Sequence, residues 1–144
     1  MNIFVLGSGA REHSICWALK KSKNCKKLFS SPGNAGIKKI AVCENIDLKK
    51  KSQVLHFCRK QSVDLVVIGP EEFLADGLSD YLIKNGIKTF GPTKNAAKLE
   101  TSKSFAKSFL KKNGISTPSY KEFNSFNNAL NFLKKTHFPV VIKA

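Results

Sequence analysis

Arginine is almost missing from this chain. Arg11 and Arg59 are the only two, so lysine supplies the other 23 of the 25 basic residues in a sequence of 144. Acidic residues are scarce as well, ten against 25, and the formal net charge is +15. Such an excess invites a nucleic-acid-binding reading. Against it, the lysines are spread from Lys20 to Lys143, with no arginine-rich stripe and no alternation of basic and aromatic residues suited to stacking on bases. A lysine- and asparagine-heavy composition is also what a nucleotide bias in the genome produces, with lysines on solvated faces. The field still favours anionic small molecules.

Other absences narrow the class further. No apolar run approaches the ~20 residues that span a bilayer, and the opening Met1-Asn2-Ile3-Phe4-Val5-Leu6-Gly7 has neither a basic leader nor enough apolar length for a signal peptide. A cytoplasmic protein is expected, with no membrane partner. Cys16, Cys25, Cys43 and Cys58 are spaced by 9, 18 and 15 residues. None forms a Cys-x-x-Cys pair, so a zinc or redox motif has no support and reduced, mostly buried thiols are expected. There are no internal repeats and no low-complexity segment. A hydrophobic fraction of 42% with 24% charged residues argues for a folded chain, of a length for one domain or one domain and the beginning of another.

What is present alternates between two periodicities. Asn2-Ile3-Phe4-Val5-Leu6 reads as a buried strand running into Gly7-Ser8-Gly9, and residues 11–22 follow as a helix. Lys27-Leu28-Phe29-Ser30 is a second strand stopped by Ser31-Pro32-Gly33-Asn34, and Ala41-Val42-Cys43 a weak third. A helix is predicted over residues 48–61. Asp64-Leu65-Val66-Val67-Ile68 is the strongest strand signal, broken by Gly69-Pro70-Glu71-Glu72. Leu74, Leu78, Tyr81 and Leu82 mark a helix closed by Asn85-Gly86, and Ile87-Lys88-Thr89-Phe90 another strand. This alternation predicts an α/β fold, an open parallel sheet built of βαβ units, with the glycine-bearing loops at the carboxyl edge where such sheets bind ligands. Past Pro92 the pattern changes to a helix over residues 93–113, a strand over 119–123, a helix through Phe126, Ala129, Leu130 and Leu133, and a strand over 139–144. That last strand has nothing after it, so a truncated second domain is expected, with a boundary near residues 91–101.

Read singly, each motif has an ordinary explanation beside the functional one. Gly7-Ser8-Gly9-Ala10-Arg11 follows a strand and opens a helix, where backbone N–H groups and the helix dipole favour an anion, but a structural turn looks the same. It is not a dinucleotide fingerprint, because Glu12 occupies the place of the third glycine. Arg11 adds a guanidinium suited to phosphate. His13 alone reads as a capping or packing residue, and Pro32-Gly33-Asn34-Ala35-Gly36 as a turn. Glu71 after Gly69-Pro70 can accept protons from ribose hydroxyls or an amine, or simply complement a helix N-terminus. Lys103 and Lys143 look like surface lysines, although Lys143 ends an apolar strand.

Taken in order, the motifs carry a resemblance. Val5-Leu6-Gly7-Ser8-Gly9-Ala10-Arg11-Glu12-His13, Pro32-Gly33-Asn34-Ala35-Gly36, Val67-Ile68-Gly69-Pro70-Glu71, Gly91-Pro92 with Ala96-Ala97-Lys98-Leu99-Glu100-Thr101-Ser102-Lys103, Gly114-Ile115-Ser116-Thr117-Pro118 and Val140-Val141-Ile142-Lys143-Ala144 all stand in one sequence. The set resembles the N-terminal part of the phosphoribosylamine–glycine ligases (glycinamide ribonucleotide synthetases), ATP-grasp enzymes of purine biosynthesis. Ala10 departs from the second glycine common in that loop, and Glu72-Phe73 from the more usual Ala-Pro. The family's Asp-Gly, glycine-rich loop and magnesium-holding acid and amide residues would follow Lys143-Ala144.

The resemblance implies a Rossmann-like domain preceding the ATP-grasp fold over residues 1–100, which binds 5-phosphoribosylamine, and the start of an ATP-grasp domain over residues 101–144. It implies ligation of glycine to phosphoribosylamine through a glycyl phosphate, with ATP and Mg²⁺ (or Mn²⁺) whose ligands lie beyond this chain, in an enzyme that is a monomer when complete. Gly9, Ala10, Arg11, Glu12, His13, Pro32, Gly33, Asn34, Gly69, Pro70 and Glu71 are the implied substrate-binding residues. Lys103 and Lys143 are the implied ATP-binding residues. On this view the 144 residues are an N-terminal fragment that does not ligate by itself. Rival readings are a nicotinamide-dependent domain, which lacks the third glycine and an acid near residues 27–31, a basic nucleic-acid module, and a gene remnant without activity.

Overall fold

Residues Phe4, Val5 and Leu6 have no exposed surface at all, and the sheet forms around them. The computed structural model describes residues 1–143, so Ala144, the end of the last sequence motif, lies outside the described residues. Five strands, β1 (Asn2–Gly7), β2 (Lys27–Pro32), β3 (Val42–Cys43), β4 (Leu65–Ile68) and β5 (Thr89–Phe90), make one sheet in the order β3-β2-β1-β4-β5. Every neighbouring pair is parallel. In register, Leu6 stands opposite Ser31 on one side and Ile68 on the other.

Successive side chains of a strand face opposite ways, and β1 feeds two cores accordingly. Ile3 and Val5 pack with Cys16, Leu28, Ile37 and Val67. Phe4 and Leu6 pack with Phe29, Val54, Phe57, Val66, Ile68 and Leu82. Ring centroids of Phe4 and Phe57 are 4.6 Å apart, and Phe29 meets Phe57 edge-on at 5.5 Å. Helices cover both faces: α1 (Ala10–Lys20) supplies Cys16, α2 (Lys51–Lys60) supplies Val54 and Phe57, and, after α3 (Glu71–Ala75), α4 (Leu78–Lys84) supplies Leu82. This is the doubly wound arrangement, and the strand order reverses its direction of growth between β1 and β4. Ligand crevices form outside the carboxyl ends of the strands at such a reversal.

The structure refines the sequence reading in several places. The helix expected through Leu74 and Leu82 is two helices, α3 and α4, because Gly77 between them sits at φ 81°, outside the helical region. The helix expected over residues 93–113 is also two, α5 (Lys94–Thr101) and α6 (Lys103–Lys112), separated at Ser102, whose φ −124° and ψ 105° are extended. A 3-10 turn at Ile37–Lys39 had no sequence signal of its own.

The chain divides into two units, Met1–Ser102 and Lys103–Ala144. The second holds α6 and α7 (Phe126–Leu133), and neither helix has a buried residue. Within it, Phe105 stacks on Phe109 at 6.2 Å and Phe123 meets Phe132 at 5.3 Å. The strands expected over 119–123 and 139–144 do not form among the described residues. A strand exists only through its ladder of hydrogen bonds to a neighbour, and the sheet here contains none but β1 to β5. Val141 and Ile142 are accordingly 81% and 78% exposed. No helix among the described residues is long and apolar enough to cross a membrane.

Candidate functional site

The loops after β1, β2 and β4 meet at the carboxyl edge, and short bonds join them. Gly33 N–H donates to Gly7 O at 3.2 Å, and Gly69 N–H to Leu6 O at 3.3 Å. Asn34 holds its own turn together by accepting from Gly36 N–H and Ile37 N–H, each at 2.9 Å, and its amide donates to Ser8 O at 2.8 Å. Its polar atoms are thus engaged within the protein. His13 lies against Gly36, where a Cβ would come within 2.2 Å of its Cε1. Gly33 takes φ 70° with Cys43 Sγ 2.5 Å from where a Cβ would be, so glycine is required there on both counts.

Charge concentrates at the start of α1. Gly9 N–H donates to Glu12 Oε2 at 2.8 Å, and Arg11 Nε to Glu12 Oε1 at 2.8 Å. Arg11 Nη2 reaches Glu71 Oε2, at the start of α3, at 3.5 Å. The Glu12 side chain is 4% exposed, while those of Arg11 and Glu71 are 51% and 48% exposed. Hydrogen bonding to Glu12, then the charges of both carboxylates, raises the Arg11 pKa further above its ordinary value. The Glu71 carboxyl is held below the usual range by its own backbone N–H first and by Arg11 second.

A cavity of about 490 Å³ opens beside this cluster, within the size range of small-molecule sites. Gly7, Gly9, Arg11, Pro32 and Pro70 line it, together with the loop from Asn45 to Lys49 and with Glu72 and Phe73. Asn45, Asp47 and Lys49 belong to no sequence motif. Their signal was positional: they follow β3, and every loop after a parallel strand belongs to the same edge. A second depression, of about 480 Å³ against α2, is lined by Ser52, Gln53, His56 and Lys60 and contains none of the glycine loops.

Of the remaining sequence candidates, Lys103 begins α6 and Lys143 lies in chain without regular structure, both exposed. Nothing in the described residues draws them into a common site. Among the described residues no group of three or more His, Cys, Asp or Glu could hold a metal ion. All four cysteines are free thiols, Cys16 and Cys58 buried and Cys25 and Cys43 partly so.

Residues 1–100 match the family model for the phosphoribosylglycinamide synthetase N domain. The chain belongs to that family. Residues 101–144 match the family's ATP-grasp (A) domain. Curated relatives named phosphoribosylamine–glycine ligase include those of Fusobacterium nucleatum, 44% identical over 144 residues, and Clostridium acetobutylicum, 42% identical. Both alignments take in 100% of this chain but 34% and 35% of those proteins, so the chain spans about a third of their length. The crystal structure of phosphoribosylamine–glycine ligase from Thermotoga maritima superposes with a TM-score of 0.69 at 29% identity, over 95% of this chain and 31% of that one. N5-carboxyaminoimidazole ribonucleotide synthetase from Thermus thermophilus shares the fold at 16% identity, with a TM-score of 0.65.

Proposed function

We propose that this chain contributes the phosphoribosylamine-binding part of a phosphoribosylamine–glycine ligase, with the substrate's 5′-phosphate seated against Arg11 in the cavity at the carboxyl edge. In the proposed reaction ATP, with Mg²⁺ or Mn²⁺, phosphorylates the glycine carboxylate. The substrate amine then displaces phosphate to form the amide, leaving glycinamide ribonucleotide, ADP and phosphate. A carboxylate is a poor electrophile at neutral pH, and the phosphoryl group supplies a leaving group. Lys103 and Lys143 are proposed as nucleotide-phosphate contacts, supported by the ATP-grasp match over residues 101–144.

One observation carries the reading: Arg11 stands half-exposed at a helix N-terminus beside a cavity of fitting size, at the point where the sheet reverses. Gly9 N–H is already bonded to Glu12, so the backbone donors for a phosphate are those of Ala10 and Arg11, in the first turn of α1, where the helix dipole also favours an anion. Lys49 adds a second cation on the cavity wall. The Arg11–Glu71 contact joins two half-exposed groups at 3.5 Å, and such solvent-screened pairs contribute little. A phosphate displaces Glu71 cheaply, and Glu71 is then free to accept from a ribose hydroxyl or the amine.

Isothermal titration of the chain with ribose 5-phosphate tests this. Arg11→Ala is expected to weaken binding several-fold, about the loss of one charge-assisted hydrogen bond. Unchanged affinity would remove the phosphate from Arg11.

A further inference from the structure

Among the described residues Glu12 is one of four buried polar or charged ones, 3% exposed, and three glycines wall it in. A Cβ on Gly7 would lie 2.7 Å from Glu12 Cγ, one on Gly9 2.8 Å from Oε2, and one on Gly69 2.1 Å from Oε1. All are closer than a Cβ approaches a non-bonded heavy atom. Gly9 needs no glycine for the sake of its backbone, since φ −80° and ψ −179° are open to any residue. Nor does anything but Glu12 lie within 4 Å of its would-be Cβ. The spacing Gly-x-Gly after a strand reads in sequence as clearance for an incoming anion. Here the clearance is filled by the chain's own carboxylate.

We propose that Glu12, which lines the same cavity with both carboxylate oxygens already engaged within the protein, is a positioning residue for the substrate phosphate: it sets the orientation of Arg11 and locks the β1–α1 loop to the β4–α3 loop. The inference rests on the phosphate reading above and adds how the site is built. One carboxylate oxygen holds Gly9 N–H and the other holds Arg11 Nε, each at 2.8 Å. With Nε held, the guanidinium is restrained on the cavity wall, and its Nη2 already reaches Glu71 before ligand arrives. A long side chain ordered in advance loses less entropy on binding. Gly69, after β4, closes on the same carboxylate from the other side, so the two loops flanking the reversal of the sheet share one buried strut.

Two cycles on the 144-residue chain test this. In the first, thermal unfolding compares Gly69→Ala alone and on a Glu12→Ala background. Alone it should lower Tm by at least about 5 °C, whereas without the Glu12 side chain the added methyl enters vacated space and should cost less than about 2 °C. Equal losses on both backgrounds would overturn the strut. In the second, ribose 5-phosphate affinity is measured for Glu12→Gln with and without Arg11→Ala. The carboxamide keeps the volume of the side chain but accepts at only one of the two contacts and turns its NH₂ toward the other donor. Affinity should fall about 5- to 10-fold when Arg11 is present, and less than about 2-fold when Arg11 is already removed. Full additive losses, with normal affinity in the parent chain, would overturn the positioning role alone. A parent chain with no affinity for ribose 5-phosphate would overturn the phosphate reading, and this role with it, whatever the melting cycle gives.

Discussion

The two units of this chain carry apolar residues of similar kinds and use them in opposite ways. In Met1–Ser102, neighbouring strands and helices close over Phe4, Leu6, Val54, Leu78 and Leu82, each 1% exposed or less. In Lys103–Ala144, α6 and α7 set Phe105 and Phe109, and Phe126 and Leu130, at the spacing of one helix face, yet Phe126 is 78% exposed and no residue of either helix is buried. By contrast α1, whose apolar residues are poorly sorted onto one face, buries Cys16 completely. Amphipathic pattern states which face a helix would bury. Whether it is buried depends on a partner surface, and the first unit has one in its sheet.

That contrast predicts its own tests. The largest effect belongs to the first unit's core: Leu82→Ala or Phe4→Ala should cost about 3–5 kcal/mol in urea unfolding, while Phe126→Ala in the second unit should stay within about 0.5 kcal/mol. A large loss at Phe126 would show that α7 has a hidden core. Alkaline pH comes next. Burial pushes the Cys16 thiol to about 11 and the Cys58 thiol to about 12, from an ordinary 9.0. A folded pKa raised above the unfolded one stabilises below the unfolded value and loses that contribution as pH climbs. Stability of the first unit should therefore fall between about pH 9 and pH 12 by a few kcal/mol, and flat stability across that window would contradict the burial of these thiols. Because all four cysteines lie in the first unit, alkylation at pH 8 reports on that unit alone. The last effect is local: Gly77→Ala forces a side chain into φ 81° between α3 and α4 and should cost about 1–2 kcal/mol.

Much of this was legible in the sequence, for definite reasons. The runs at Ile3-Phe4-Val5-Leu6 and Val66-Val67-Ile68 are buried on both faces, and such strands announce themselves as unbroken apolar stretches. The glycine loops fell at the carboxyl edge because parallel topology puts every such loop there. Less legible were features that depend on a neighbour. Residues 119–123 and 139–144 have strand-like composition but no pairing partner among the described residues. The breaks at Gly77 and Ser102 are single-residue conformations inside otherwise helical patterns. Asn45 to Lys49 carry no motif and join the cavity only through where β3 ends. In sequence Glu12 is one more residue of a binding loop. Its burial against Gly69 brings together residues 57 positions apart, a contact that no local pattern encodes.

The central claim is that ribose phosphate is held by the start of α1 in the first unit, and not by the general positive charge of the chain. Amide chemical shifts recorded while ribose 5-phosphate is added test it most directly. The account predicts shifts at Ala10, Arg11 and Lys49, saturating together, with Lys107 and Lys111 of α6 unmoved. Shifts spread over the lysines of both units in proportion to charge, with Ala10 and Arg11 unaffected, would contradict it.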